Sequence, residues 1–218
     1  MARLAVDNVG SSLDRDDGSA PDRGRLARSL AALIERLEDR EHDASGHARD
    51  VAALSVQIAS HLGMSPDETR LIRLGALLHD VGKLAVPDEI LAKPGPLDDG
   101  EWEVMREHPS AGERVLEPLL SGSAAVNQRC IETVLAIVRW HHERWDGRGY
   151  PDRLAGDAIP LGARIVAVAD AFQAMIERRP YRDALSRRDA LQEVTREAGR
   201  QFDPLPVASL VDVAAPGG

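Results

Sequence analysis

The chain is poor in cysteine, in aromatic residues and in long apolar runs, and each shortage closes off a class of protein. Among 218 residues there is one cysteine, Cys130. A single thiol forms no internal disulfide and no thiolate-based zinc site. Its neighbours Val126, Ile131 and Val134 predict a buried thiol. Aromatic residues make up 3% of the chain, against 43% hydrophobic residues overall. Ala, Leu, Val and Ile must fill the core, and the scarcity of Tyr, Phe and Trp argues for helices over sheets. No run approaches the roughly 18 apolar residues of a membrane span. The N-terminal stretch MARLAVDNVGSSLDRDDG lacks the apolar core of a secretion signal, so a cytoplasmic protein is expected. Positive charge is also in deficit: 27 Lys and Arg stand against 36 Asp and Glu, a net charge of −9. Such a chain is ill suited to follow a nucleic-acid polymer, which needs a basic face. A local basic pocket for a small phosphate ligand stays compatible with it.

What is present is helical period. The length suits one domain. We read residues 1–21 as a flexible polar tail, 22–212 as the domain and 213–218 as a short C-terminal tail. Asp22 is placed to cap a helix whose stripe is Leu26, Leu30, Leu33, Ile34 and Leu37. His47, Val51, Leu54, Ile58 and Leu62 form a second stripe, ended by Gly63. Ser65, Pro66 and Glu68 make a capping box for a third helix, which ends in His79-Asp80. Asp98 and Glu101 mark another start, followed by Trp102, Met105 and His108, and Pro109 makes His108 a boundary. Residues 126–142 are helical by period and end in His141-His142. After the loop DGRGYPDRLAGDAIP, Pro160 opens a helix through Ile165, Val168, Phe172 and Ile176, and a last helix is expected over about 186–200. No alternating strand pattern and no repeat is seen. The expectation is an all-α single bundle of about six to eight helices.

The chemistry lies in histidines and carboxylates. A His-Asp pair at a helix end, His79-Asp80, is weak evidence alone, because the helix dipole already favours a histidine there. His141 and His142 point about 100° apart on a helix and could serve two neighbouring ions. Asp170 sits inside IVAVADAF, where a carboxylate is expected to be buried and to need a cation, either a metal or an arginine. A His/Asp set without thiolate suits iron, manganese or a similar divalent metal. Two-metal sites hydrolyse phosphoesters by clamping phosphoryl oxygens and activating a bridging hydroxide. No Ser/His/Asp or Cys/His grouping competes, and there is no Walker-type glycine loop.

These segments resemble a known family. His79-Asp80-Val81-Gly82-Lys83 is similar to the HD-x-G-K motif of HD phosphohydrolases. His141-His142-Glu143-Arg144-Trp145-Asp146-Gly147-Arg148-Gly149-Tyr150-Pro151 resembles the HHE-x-x-DG-x-GYP signature of the HD-GYP subfamily. LAKPG at 91–95, Met105 to His108, IPLGARIVAVADAF and RPYRDAL follow the family order over roughly residues 22–210. The resemblance implies a helical fold around a polynuclear metal site and hydrolysis of cyclic di-GMP to pGpG, with GMP a further product in some members. It implies the metal ligands His47, His79, Asp80, His108, His141, His142 and Asp170, with Asp80 bridging two ions of iron or manganese. Lys83, Arg179 and Arg182 match phosphate-facing positions, and Gly149, Tyr150 and Pro151 form a loop beside the substrate and a GGDEF-domain partner. A homodimer is a further expectation.

The chain departs from the family at two residues. Asp43 stands where trinuclear members have a glutamate, which leaves a third metal open. Gln173 replaces the usual acidic residue one turn after Asp170, which leaves open another cyclic nucleotide as substrate. A catalytically silent module that binds GGDEF partners is the remaining alternative.

Overall fold

The computed structural model describes residues 20–40, 46–177 and 184–214. Its helices are α1 (Ala20–Arg40), α2 (His47–His61), α3 (Pro66–Leu78), α4 (Asp88–Leu91), α5 (Asp99–Arg106), α6 (His108–Ser121), α7 (Gln128–Trp140), α8 (Leu161–Ile176), α9 (Arg187–Arg196) and α10 (Pro204–Ala214). Two 3-10 turns, Val81–Ala85 and Gly156–Ala158, join them, and the described residues contain no strand.

Local chemistry starts these helices where the pattern placed them. Ser65 Oγ accepts from the Glu68 amide at 3.3 Å, and the Glu68 carboxylate accepts from the Ser65 amide at 3.0 Å. Asp98 and Glu101 repeat that box at 2.9 and 2.8 Å. Each such cap is worth about 1 kcal/mol. The apolar stripes then turn inward: Leu30 and Ile34 of α1, Val51 and Ile58 of α2, Leu74 and Leu78 of α3, and Ile165 and Phe172 of α8 are all buried. Burial of each such side chain contributes about 1.5–3 kcal/mol. Helix α2 packs on α3 and α8, α3 on α7, and α6 on α7 and the 3-10 turn after α3. Helix α10 closes over α2, α8 and α9.

Two polar locks fix the parts that carry the site. Arg40, at the end of α1, donates to the carbonyls of Lys83 (3.2 Å), Leu84 (2.8 Å) and Val86 (2.8 Å), and it pairs with Asp88. It thus grips the turn behind His79-Asp80. Arg164 of α8 pairs at 2.5 Å with Asp203, which is buried just before α10 and accepts from the Leu205 amide at 2.9 Å.

Three expectations change. Asp22 is no cap: α1 begins at Ala20, and the Asp22 carboxylate accepts from Ser123 Oγ at 2.7 Å and pairs with Arg25. Cys130 is half-buried, because it lies in the first turn of α7, which sits at the edge of the core, where its amide is capped by Asn127. The helix expected over 186–200 stops at Arg196. Gly199 turns left-handed (φ 77°), and Pro204 opens the separate helix α10, which the sequence pattern did not reveal.

Candidate metal centre

The ligand-type residues stand where helix ends meet. His47 is the first residue of α2 and His108 the first of α6. His79 caps the C-terminus of α3 and is followed by Asp80, and His141 caps α7 and is followed by His142. Asp170 comes from the middle of α8. His47, His79, Asp80, His108 and His141 are buried, and His142 and Asp170 are half-buried. Among the described residues no arginine pairs with Asp170; its oxygen meets His47 Nε2 at 3.0 Å and His79 Nε2 at 3.9 Å.

The seven side chains fall into two donor groups. Asp80, His108, His141 and His142 form one, and His47, His79 and Asp170 the other, each with its ligand atoms within 4.8 Å of one another. Asp80 stands between them. Its Oδ1 lies 3.2 Å from His108 Nε2, and its Oδ2 lies 3.2 Å from His79 Nε2. One carboxylate therefore offers an oxygen to each group.

The histidines are oriented to ligate. Nδ1 of His79, His108 and His141 donates to the carbonyls of Ala76, Met105 and Val138, at 2.7, 2.8 and 2.9 Å. This turns each Nε2 inward, where its lone pair can ligate once any proton on it is displaced. His108 Nε2 and His141 Nε2 then face each other at 3.3 Å. At that distance the two nitrogens can share either a proton or a metal ion. Two nitrogens on one ion, each about 2.1 Å from it, stand about 3.0–3.4 Å apart. His79 Nε2 is buried and makes no hydrogen bond. The donor set fits divalent ions, and we take these residues as able to hold them.

The electrostatics agree. Burial alone would depress His79, but the carboxylates of Asp80 and Asp170 raise it to about 9. Burial would raise Asp80, yet His79 and Lys83 hold it well below the usual carboxylate range. Burial, with charge on His108 adding to it, pushes His142 down to about 3; His141 is pushed down in the same way. Metal uptake should therefore expel the proton from His79. Apparent affinity for Mn(II) should rise up to about tenfold per pH unit from pH 7 and begin to level off at about 9, where His79 is half neutral. Chelator competition at pH 7, 8 and 9 checks this. In the metal-free protein the raised His79 stabilises the fold fully below pH 6.5, and that contribution is lost as pH rises through about 9.

The remaining expected residues are placed as follows. Lys83 Nζ donates to Asp80 Oδ2 at 2.7 Å, at the edge of the centre. The ring of Tyr150 lies 4.9 Å from that of His142, so the Gly149–Pro151 loop borders the site. Asp43, Arg179 and Arg182 lie outside the described residues. Sequence reasoning missed three contributors. Buried Glu143 accepts from the Asp152 amide at 2.7 Å and so holds the loop. Arg106 and Arg148 line a cavity of 480 Å³ that reaches His142, Tyr150 and Asp170. Arg148 was visible only as a variable position inside a motif, and Arg106 only as a charge next to a helix end.

An all-helical bundle that converges helix ends on a buried His/Asp centre is an architecture of metal-dependent hydrolases. The model of the HD domain family matches residues 31–205, and the chain belongs to that family. It is 43% identical over 187 residues to the cyclic di-GMP phosphodiesterase response regulator RpfG of Xanthomonas campestris pv. campestris, covering 86% of this chain and 48% of the relative. It is 37% identical over 180 residues to the 3'3'-cGAMP-specific phosphodiesterase 2 of Vibrio cholerae, covering 83% of this chain and 33% of the relative. The chain thus spans at most about half of these relatives. A solved HDG"Y"P protein of Bdellovibrio bacteriovorus shares the fold, with a TM-score of 0.63 at 18% identity over 96% of this chain and 78% of that one. No helix among the described residues is long and apolar enough to cross a membrane.

Proposed function

We propose that residues 22–212 form a metal-dependent phosphodiesterase that opens cyclic di-GMP to pGpG, with further cleavage to GMP left to the product assay, acting in the cytoplasm. The carrying observation is the placement of Asp80, with one oxygen toward His108 and the other toward His79. Its support is the similarity to named cyclic di-GMP phosphodiesterases. We assign His47, His79 and Asp170 to one ion and His108, His141 and His142 to a second, with Asp80 between them, and iron or manganese as the metal. Asp43 would belong to a third ion. Bound there, such ions would supply Lewis-acid charge stabilisation and an activated water.

The chain's own residues then divide the remaining work. Ala76, Met105 and Val138 keep the imidazole lone pairs aimed. Lys83, held beside Asp80, presents an ammonium at the mouth for a non-bridging phosphate oxygen. Arg106 and Arg148 line the adjoining cavity, where guanidinium groups can take a second phosphate or the O6 and N7 acceptors of guanine. Tyr150 is held in its protonated form by burial and by the charges of Asp80 and Asp170, so it can donate to substrate oxygen. Arg179 and Arg182 are further phosphate contacts in this proposal. A GGDEF-domain partner on the Gly149–Pro151 loop and a homodimer extend it, and light scattering with and without such a partner reads both.

The test is incubation of the full chain, loaded with Fe(II) or Mn(II), with cyclic di-GMP and 3'3'-cGAMP, followed by chromatography of the linear products. Cleavage of cyclic di-GMP is expected; intact cyclic di-GMP beside cleaved 3'3'-cGAMP would reassign the substrate. Arg148→Ala should raise KM about tenfold or more with kcat nearly unchanged, the loss of one charge-assisted contact. An unchanged KM removes Arg148 from the substrate.

A further inference from the structure

His47 differs from the other ligand histidines in how it is held. His79, His108 and His141 each donate Nδ1–H to a backbone carbonyl three residues earlier. His47 opens its helix, after the left-handed cap Gly46. The acceptor facing His47 Nδ1 is Oε2 of Glu177, at 3.2 Å. Both atoms are buried, and at this distance they form a close contact whose angles fall outside those of a hydrogen bond. Glu177 ends α8, seven residues after Asp170, with extended backbone (φ −83°, ψ 136°) and its amide bonded to the Gln173 carbonyl at 3.0 Å. Asp170 meets the opposite ring nitrogen, Nε2, at 3.0 Å. One helix thus contributes a carboxylate to each side of the same imidazole. Gln173, the residue between, turns elsewhere: its amide reaches the Asp50 carbonyl at 3.4 Å and joins α8 to α2.

We infer that Glu177 is the positioning residue for His47. A small turn of its carboxylate lets it accept Nδ1–H, keep the Nε2 lone pair directed at the ion shared with His79 and Asp170, and make the imidazole a stronger donor. Carboxylates in this relation to a ligand histidine typically carry 10–100-fold of metal affinity. The inference rests on the metal-site reading above. It gives that reading an asymmetry: His47 is oriented by a side chain at the end of α8, whereas His108 and His141 are oriented by backbone carbonyls.

The test is calorimetric titration of the metal-free full chain with Mn(II), comparing the unaltered protein with Glu177→Ala, Glu177→Gln and Glu177→Asp. We expect two binding steps in the unaltered protein. In Glu177→Ala one step should weaken about 10–100-fold and the other stay put. Glu177→Gln, which keeps an acceptor oxygen without the charge, should fall in between, and Glu177→Asp should recover part of the loss. The melting temperature of the metal-free protein should not move. In a His47→Ala background, Glu177→Ala should add nothing. Unchanged affinities in Glu177→Ala overturn the inference. So does an equal loss in the His47→Ala background, which would mark a general charge effect, or a loss that tracks a fall in metal-free stability. Absence of Mn(II) binding by the unaltered protein would instead overturn the metal-site reading, and this inference with it.

Discussion

Asp80→Ala and Asp80→Asn should each lower turnover of cyclic di-GMP by about 10³-fold or more, and each should reduce the metal content of the purified protein. The magnitude follows from the several kcal/mol that bound metals supply to a phosphoryl transition state, at about 1.4 kcal/mol per factor of ten. Among the described residues no other is placed to do what Asp80 does. Its two oxygens lie 3.2 Å from nitrogens of two different donor groups, and Lys83 adds a third contact at 2.7 Å. The fold should survive, because Asp80 belongs to no apolar cluster and His79 can relax to its neutral form once the carboxylate is gone. Circular dichroism and a melting curve beside the activity assay separate the two effects. A fully active Asp80→Asn would refute the bridging role outright, since it keeps the shape and removes only the charge.

Gly82→Ala should be the most destructive of the Gly→Ala changes among the described residues. A Cβ at Gly82 would stand 1.8 Å from the carbonyl oxygen of His108 and 2.5 Å from the amide nitrogen of Gly112. Both are backbone atoms at the start of α6, so no side chain can move aside. The turn that follows His79-Asp80 is seated directly on the turn that presents His108, and the glycine is what lets them touch. Separating them pulls the two donor groups apart. The expected cost is about 3 kcal/mol or more, roughly a 6–12 °C fall in Tm for a domain of this size, together with loss of metal binding. Gly149→Ala meets backbone of Glu143 and Arg144 at 2.4–2.7 Å and should loosen the loop in the same manner. Gly100→Ala is the control. It lies in helix α5 with only ordinary contact at 3.5 Å, so it should be neutral or stabilising by about 0.5–1 kcal/mol. A Gly82→Ala protein that melts normally and keeps its metal would show that the contact between the two turns is dispensable.

The helical class and the inward face of a candidate ligand such as His47 were legible in the sequence for a physical reason. Caps such as Ser65/Glu68 and Asp98/Glu101 are local, and a burial stripe such as His47, Val51, Leu54 and Ile58 is periodic, so both are written within one segment. What was not legible is what crosses between segments. The stripe of α2 says that His47 faces inward; nothing in it says that Glu177 arrives from the end of α8. Arg40 looked like an ordinary basic residue at a helix end, and its reach to three carbonyls of the turn after Asp80 depends on where α1 docks. The motif glycine Gly82 could be quoted but not explained until α6 was seen against it. Phe202 and α10 went unread because a left-handed Gly199 and an Asp203-Pro204 start separate α10 from α9, and the apolar period restarts out of register.

The most direct measurement is anomalous X-ray diffraction from crystals of the protein loaded with Mn(II) or Fe(II), at the edge of the metal. Two peaks about 3.5–4 Å apart are expected, one among Asp80, His108, His141 and His142 and the other among His47, His79 and Asp170, with Asp80 between them. A single peak, or metal bound away from Asp80 in a protein that still cleaves cyclic di-GMP, would contradict the two-ion centre.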